Sequence, residues 1–360
     1  MVSIAVAPPY PDELLEGVLG RVGLVNGFPD QKRTIMGLRV SLDLLPSASV
    51  LDVTAACFGK ASRDIAYRHT LAPIQRLFSA GIEHDDEREK APTRGALLST
   101  RRTKSNARAC PACAQRDQKT GAPSYWRRAH HLPNVDWCPE HRIPLCRLQE
   151  TDFERRPSDV IGHTASPGAT VKCIRPGSAL DRYSLLLTRW LDRDTTLSCV
   201  ALNRVVQEGC AQYGLRCAQV GKRPLVSDLA KKALPAEWLQ CYWPEVLTKE
   251  PNAYLARLDG PSKDRHVPYP GSTCALVLAL LFDSVDVIES RLDSVQAEMM
   301  AARRRDHGSA LLAAQRDFVA GKTIGQACTA HGIAVEQFEL WLRATATMWA
   351  STDRQPVAAA

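Results

Sequence analysis

The sequence predicts a mainly α-helical protein with several domains. Apolar residues recur at helical spacing over much of the chain, as in LDRYSLLLTRWL from position 180, and strand-like alternation is sparse. The 360 residues exceed what one hydrophobic core usually serves, so two or three domains are expected. One stretch of little periodicity, from about 94 to 148, is rich in turn residues, paired cysteines and aromatic residues, which favours a small metal-dependent module.

The N-terminal part of the chain, residues 1–93, is predicted to be helical. Asp12 and Glu13 suit the positive end of a helix dipole, and apolar residues follow them at helical spacing. A mixed-charge segment, 83–90, then precedes Pro92, so a surface excursion is expected before the next domain.

Two short-spaced ligand pairs predict a zinc site in a module that spans residues 94–150. Cys110-Pro-Ala-Cys113 is followed, after twenty-four residues, by Cys138-Pro-Glu-His141. A two-residue gap lets both side chains of a pair point at one ion, and two pairs complete the tetrahedron that zinc accepts from sulfur and imidazole. Four protein ligands leave no open position, so the predicted zinc is structural and not hydrolytic.

Other interpretations of these residues stay open. Cys110 and Cys113 could instead form a redox pair, although no apolar strand precedes them as a thioredoxin-like arrangement requires. Cys146 is a substitute ligand, and either His130 or His131 could compete for the fourth position.

The positive charge of the chain is concentrated in the same region. The chain has 46 basic and 39 acidic residues, a formal net charge of +7, and residues 94–147 contain eleven Lys or Arg against three acids. Such a cluster is typical of a surface for nucleic acid or for an acidic protein face, and a solvated basic surface is the alternative. The candidate binding residues in this stretch are Arg101, Arg102, Lys104, Arg127 and Arg128.

The chain after the module is predicted to return to helices. Residues 151–178 contain three prolines and several glycines, which favours a linker or an irregular excursion. Residues 179–300 show helical spacing with breaks at prolines, and so predict a second helical domain.

Residues 301–350 have the proportions of a helix-turn-helix. Thr323 can cap a first helix, Ala327 is small where the two helices would cross, and Gly332 lies at the turn. Glu336 and Glu339 on the second helix would repel phosphates, so contact with a protein is as reasonable as contact with DNA.

A run of arginines precedes this pattern. Arg303, Arg304 and Arg305 are candidate contacts to a nucleic-acid backbone or to a partner, or else an exposed helical face. Residues 351–360 are expected to form a disordered tail.

Membrane and enzyme classes are disfavoured. The longest apolar run, 274–282, covers about half of the roughly 20 residues that a spanning helix needs. The first ten residues have no basic segment and include Pro8 and Pro9, so they do not resemble a secretory signal, and a cytoplasmic protein without a membrane partner is expected. Gly321-Lys322-Thr323 lacks the glycine at position 316 that a nucleotide-binding loop requires, and no catalytic signature is recognisable.

Residues 109–145 resemble the signature of the TniQ/TnsD family of transposition target-selection proteins. The two ligand pairs frame Tyr-Trp-Arg-Arg at 125–128 and His-His-Leu-Pro at 130–133, in the order that is typical of that family. Weaker similarity extends the resemblance to residues 8–148. The family usually has Ser-Trp in its first helix where this chain has Gly17-Val18.

The resemblance implies a target-selection adaptor without catalysis of its own, in which residues 1–93 are helix-turn-helix-like. Such proteins join CRISPR Cascade with its guide RNA, or a target DNA site, to a TnsC-like AAA+ ATPase that recruits the transposase. The modest chain length favours the RNA-guided or minimal type, and a homodimer stays open because CRISPR-associated relatives often act as dimers. The alternative function is a sequence-specific DNA-binding transcriptional regulator that uses the zinc module and the C-terminal helix-turn-helix.

Overall fold

A computed structural model describes residues 4–79, 107–149, 153–162, 166–167, 173–217, 221–263 and 266–352. Helices dominate these residues and the strands are two residues long, which confirms the mainly α class. The chain divides into two compact units, Met1–Asp293 and Ser294–Ala360.

The first unit begins with short helices. They are α1 (Leu15–Asn26), α2 (Gln31–Ser41), α3 (Val50–Phe58), α4 (Ser62–His69) and α5 (Ala72–Gln75). Asp30 caps α2 by accepting the backbone N–H of Arg33, and Ser49 forms a reciprocal capping box with Asp52 at the start of α3. Gly59 ends α3 in the left-handed conformation, with φ of 61°. Local sequence signals therefore set these boundaries, and the apolar faces of α1 to α4 share one core.

The cysteine-rich module consists of short elements around one helix. After strand β1 (Phe78–Ser79), its elements are β2 (Arg108–Ala109), α6 (Pro111–Lys119), a 3₁₀ turn (Arg128–His131) and β3 (Cys146–Arg147). Strands β2 and β3 are antiparallel, with Ala109 opposite Cys146.

Part of the predicted linker 151–178 belongs to this module. The segment contains helix α7 (Pro157–Val160) and strand β4 (Ser166–Pro167), and β4 pairs antiparallel with β3 of the module. Phe153 packs edge-on against Trp126, with ring centroids 5.1 Å apart, and both are buried. The composition of this segment suggested a spacer, but its apolar residues are covered by the module.

Further helices complete the described part of the first unit. They are α8 (Ala179–Leu191), α9 (Cys199–Gln212), α10 (Val226–Ala233), α11 (Ala236–Tyr242), α12 (Pro244–Thr248), α13 (Ala256–Lys263) and α14 (Gly271–Leu281). Strand β5 (Leu197–Ser198) pairs parallel with β1. Helix α14 contains residues 274–281 of the predicted apolar run and is buried almost throughout. A Cβ at Gly271 would lie 2.2 Å from the carbonyl oxygen of Ile74, so only glycine permits this approach of α14 to α5.

Hydrogen bonds join these helices to the cysteine-rich module. Trp238 donates to the carbonyl of Asn134 at 2.9 Å, and Tyr183 donates to the carbonyl of Pro133 at 2.8 Å. Trp137 donates to the hydroxyl of Ser184 at 3.0 Å and is itself buried. The module and the helices that follow it therefore share an interior.

The second unit contains most of α15 (Val285–Val319), then α16 (Ile324–His331) and α17 (Val335–Thr352). Thr323 and Gln326 form a capping box at the start of α16, and Gly332 ends it with φ of 63°, as the sequence predicted. The small core of this unit consists of Leu311, Ala314, Ala327, Cys328, Ile333 and Phe338. The helix-turn-helix character of the pair α16 and α17 stays a prediction.

Within the described ranges, no single helix is long and apolar enough to cross a membrane. The pair α14 and α15 passes such a test of length and composition only when both helices are taken together across the bend between them.

Candidate metal centre and the arginines around it

The four predicted metal ligands lie together. The sulfur atoms of Cys110, Cys113 and Cys138 and a ring nitrogen of His141 are all within 4.8 Å of one another, and the three cysteines are buried. Cys110 is the N-cap of α6 and Cys113 lies in its first turn, because Pro111 starts the helix between them. The positive end of a helix thus faces two of the three sulfurs, which favours their thiolate forms.

The distances within this cluster suit a tetrahedral ion. Bond lengths of about 2.3 Å to sulfur and about 2.0 Å to nitrogen place two ligand sulfurs about 3.8 Å apart, and a sulfur about 3.5 Å from a nitrogen. The Sγ atoms of Cys113 and Cys138 are 3.7 Å apart, and Nδ1 of His141 lies 3.6, 3.3 and 3.5 Å from Sγ of Cys110, Cys113 and Cys138. These four separations match those expected between the ligands of one tetrahedral ion.

Hydrogen bonds within the cluster give the three thiols unequal pKa values. Hydrogen bonds from Cys113 and Cys138 lower the pKa of Cys110 to about 2. The hydrogen bond to Cys110 raises the pKa of Cys113 well above its usual range and that of Cys138 to about 11. The hydrogen bonds within the cluster thus favour a thiolate at Cys110.

His130 and His131 occupy different positions. Nε2 of His130 lies 3.6 Å from Sγ of Cys113 and 3.7 Å from Sγ of Cys138, so this ring touches the cluster. In His131, Nδ1 contacts the carbonyl of Arg127 and Nε2 accepts the backbone N–H of Arg108, both at 3.0 Å. Because both of its nitrogens are used by the backbone, His131 is structural. Cys146 lies in β3, opposite Ala109, and is outside the cluster.

The N-terminal segment is tied directly to the module. Glu13 forms an antiparallel bridge with Arg127, Leu14 donates its backbone N–H to the carbonyl of Trp126 at 2.7 Å, and Arg128 donates its N–H to the carbonyl of Asp12 at 2.9 Å. These backbone bonds join the residues on either side of the predicted domain boundary near residue 93. The two sides therefore pack together.

Arg127 is used within the module. Its guanidinium donates two hydrogen bonds to Asp117, at 2.7 and 2.9 Å, in the bidentate geometry that suits a carboxylate. Its Cζ also lies 4.0 Å from the ring centroid of Tyr125, which in turn stacks on Tyr10. Burial lowers the pKa of Arg127, but the hydrogen bonds to Asp117 outweigh it and raise the pKa above its usual value. With 11% of its side chain exposed, Arg127 offers little surface to a polyanion.

Arg128 is almost wholly buried, with 3% of its side chain exposed. It donates to Asp12 at 2.8 Å, to the carbonyls of Tyr67 and Leu191 at 2.7 and 3.3 Å, and to Asp192 at 3.1 Å. The predicted contact to nucleic acid or a partner needs an accessible guanidinium, and this position does not provide one. Arg128 instead joins three parts of the chain.

A cleft of about 410 Å³ lies beside Arg128. Its lining residues are Arg63, Asp64, Tyr67, Arg68, Arg128, Leu191, Asp192, Arg193 and Asp194. Four arginines and three aspartates nearly balance, so this cleft has no strong preference for an anion.

The remaining predicted binding residues fall into two groups. Arg101, Arg102 and Lys104 lie outside the described residues. Arg303, Arg304 and Arg305 lie exposed on α15 in the second unit. Contact of this run with nucleic acid or with a partner stays a prediction.

Several residues that sequence analysis did not single out hold the module together. Asp136, which is buried, accepts from Arg147 at 2.8 Å and from Tyr242. Burial raises the pKa of Asp136, but these hydrogen bonds and the nearby cations outweigh it and lower the pKa below its usual range. Tyr242 lies about a hundred residues from its partner in the sequence, and so no local signal could have paired them.

Gly17 shows how the first helix meets the module. A Cβ at this position would lie 2.8 Å from Cβ of Trp126 and 2.9 Å from its Cδ1. This chain has Gly17-Val18 where the TniQ/TnsD family usually has Ser-Trp. The glycine therefore has no side chain at the point where α1 contacts Trp126. Trp126 and Trp137 are both buried, so they pack in the interior and are not available to stack on bases.

A family model described as TniQ matches residues 5–145. This range includes helices α1 to α5, the four clustered ligands and the backbone bridge between Glu13 and Arg127. No curated protein is significantly similar to the chain.

Proposed function

We propose that this chain, which belongs to the TniQ family through residues 5–145, is a target-selection adaptor in DNA transposition. A TniQ domain marks a transposition-associated protein, and that match is the observation that carries the proposal. The adaptor would bridge a targeting complex, either CRISPR Cascade with guide RNA or a target DNA site, to a TnsC-like AAA+ ATPase that recruits the transposase.

The metal in this proposal is one structural Zn²⁺ on Cys110, Cys113, Cys138 and His141. Three thiolates and one imidazole at tetrahedral distances are the donor set that zinc prefers, and they leave no position for water or substrate. When bound, the ion supplies a cross-link between α6 and the chain at 138–141. A closed site agrees with a family whose role in transposition is not catalytic.

The arrangement of the first unit supports a rigid adaptor body. Arg128 bonds to the N-terminal segment, to α4 and to the end of α8, while the four ligands close the module next to it. Residues that hold such a body together are poor candidates for the contact surface. Partners are more reasonably sought at exposed cations, of which Arg304 and Arg305 in α15 are examples.

The test is affinity purification of the tagged full-length chain, co-expressed with its genomic neighbours and treated with nuclease before mass spectrometry. We expect co-purification of an AAA+ ATPase, and recovery of Cascade subunits would assign targeting to a guide RNA. Recovery of the chain alone, together with tight and sequence-specific duplex binding by the purified protein, would contradict the adaptor and support the transcriptional regulator.

A second measurement addresses the surface. The triple variant R303E/R304E/R305E is expected to weaken binding to polyanions and partners while it leaves zinc content unchanged, because these side chains are exposed. If the run neutralises phosphates of duplex DNA, the slope of log affinity against log salt should fall by about 0.9 for each phosphate that the variant no longer neutralises. An unchanged slope and an unchanged set of co-purified proteins would make the run a solvated helical face.

A further inference from the structure

We propose that His130 is not a metal ligand but a hydrogen-bond donor, through Nε2–H, to the thiolates of Cys113 and Cys138. In this role it is a positioning residue for the zinc centre. The inference rests on the zinc site of the proposed function and adds a residue to it.

Distances alone do not separate the two histidines. Nε2 of His130 lies 3.6 and 3.7 Å from the sulfurs of Cys113 and Cys138, and Nδ1 of His141 lies 3.3 and 3.5 Å from the same atoms. Either separation suits two ligands of one tetrahedral ion, and either also suits an N–H···S hydrogen bond.

The second nitrogen of each ring separates them. A histidine that binds a metal almost always donates its other N–H to a carboxylate, a carbonyl or water. Nε2 of His141 lies 3.9 Å from a carboxylate oxygen of Glu140, on a side chain that is 27% exposed, so carboxylate and solvent are both within reach. Nδ1 of His130 is buried and has no hydrogen-bond partner among the described residues.

This unpartnered nitrogen fixes the tautomer of His130. If Nε2 were a metal ligand, the proton would lie on Nδ1 as a buried donor without an acceptor, which costs about 1–3 kcal/mol. If the proton lies on Nε2 instead, it points at two sulfurs and leaves only a lone pair at Nδ1. The second arrangement leaves no N–H unsatisfied, and the geometry therefore assigns the proton to Nε2.

A donor is useful at this position because of the charge of the site. Three thiolates around one divalent cation leave one net negative charge, and the three cysteines are buried. The backbone N–H of His141 already donates to the sulfur of Cys138 at 3.5 Å, and His130 adds a side-chain donor to two sulfurs. Such a donor withdraws charge from the sulfurs, strengthens the site and makes the thiolates less reactive.

The experiment measures zinc in the full-length protein and four variants. H130Q keeps an amide N–H at the same number of bonds from the backbone as Nε2, H130N places it too close to the backbone to reach the sulfurs, and H130L removes it. H141A removes the proposed ligand. Zinc stoichiometry, zinc affinity by chelator competition and the rate of cysteine alkylation are measured for each, with circular dichroism as the control for folding.

We expect one equivalent of zinc in the wild type and in all three His130 variants. Affinity should fall about 10- to 100-fold in H130N and H130L, the usual effect of losing an outer partner of a metal ligand, and H130Q should recover most of it. Cysteine alkylation should be faster in H130N and H130L than in H130Q. The cobalt-substituted His130 variants should keep the tetrahedral absorption spectrum of the wild type, whereas H141A should change it.

Each contrary result has its own meaning. Affinity and alkylation rates in H130N that equal those of H130Q would overturn the donor role and leave the zinc site standing. Loss of stoichiometric zinc from every His130 variant, with zinc retained in H141A, would make His130 the ligand and overturn the inference. A wild-type protein that binds no zinc would remove the metal proposal itself. If H130L fails to fold, the comparison of Asn with Gln still decides, because both are polar and differ in reach.

Discussion

Arg127 and Arg128 in the cysteine-rich module and Arg303 to Arg305 in α15 are the same type of residue in similar runs, but the structure uses them differently. Asp117 holds Arg127 in a bidentate pair, and Arg128 is buried among Asp12, three backbone carbonyls and Asp192. The run in α15 is exposed. A cluster of positive charge in a sequence therefore predicts a binding surface only where carboxylates distant in the chain do not cover it.

The two regions also differ in what stabilises them. Residues 107–149 surround four potential metal ligands and several buried ion pairs. The described part of the second unit instead has a small apolar core and a capped helix. The first region should respond to metal and to the loss of a charge, whereas the second should respond mainly to packing and caps, because its ion pairs, such as Lys322 with Asp317, are partly exposed.

The largest effect is expected from loss of the metal. C113S should abolish stoichiometric zinc binding and unfold the module, because structural zinc contributes about 10–16 kcal/mol of apparent binding free energy in small peptides. Elemental analysis and thermal unfolding by circular dichroism measure both results. C173S is the matched control, since Cys173 is exposed, and it should keep zinc and stability. One equivalent of zinc in C113S would place the ligands elsewhere.

Removal of the buried guanidinium should come next. R128M should lower the free energy of unfolding by about 3 kcal/mol, because it removes the donor that Asp12 and the carbonyls of Tyr67 and Leu191 share. R304M, at an exposed position, should change it by less than about 0.5 kcal/mol. Urea unfolding measures the change in unfolding free energy for both variants. Equal changes would contradict the difference between the two arginine runs.

The pH dependence of stability offers a smaller effect in the first region. Burial lowers the pKa of His131 to about 3, and its Nε2 already accepts the N–H of Arg108. The unfolded chain binds this proton near pH 6.5, so the unfolded state gains protons first and stability falls as the pH falls. The stability that disappears between pH 7 and pH 5 should be about 2 kcal/mol.

Comparison of the wild type with H131N separates the contribution of His131 to stability from the loss of metal at low pH. Zinc loss affects both proteins alike, so the difference in unfolding free energy between wild type and H131N should shrink as the pH falls from 7 to 5. A constant difference would mean that His131 titrates equally in both states, and NMR titration of the ring would show it directly.

The smallest effect is expected in the second unit. T323A removes the side chain that accepts the backbone N–H of Gln326, and should cost about 1 kcal/mol. The variant should leave zinc content unchanged, which is measured together with urea unfolding. A loss of zinc in T323A would show that the two regions do not respond independently.

Local signals in the sequence were sufficient for several features. The spacing of Cys110, Cys113, Cys138 and His141 predicted the cluster, because each pair lies within one turn of chain and two pairs suit one ion. The Thr323 cap and the Gly332 end of α16 followed from the conformational preferences of those residues. Helical periodicity predicted the class of the fold.

Tertiary structure alone decided the roles that depend on distant partners. Arg128 lies 116 residues from Asp12 and 64 from Asp192, so no spacing rule could show that its charge is covered. The strand at 166–167 and the packing of Phe153 on Trp126 likewise turned a composition typical of a linker into part of the module.

The sequence by itself determined the two short-spaced ligand pairs, the ends of α16 and the mainly α class, because each depends on residues within a few turns of one another. Only the tertiary structure decided which arginines are buried and which histidine has an unpartnered nitrogen beside the thiolates. The physical reason is that the burial of a charge and the satisfaction of a hydrogen bond are properties of neighbours in space, and most of these neighbours are far apart in the chain.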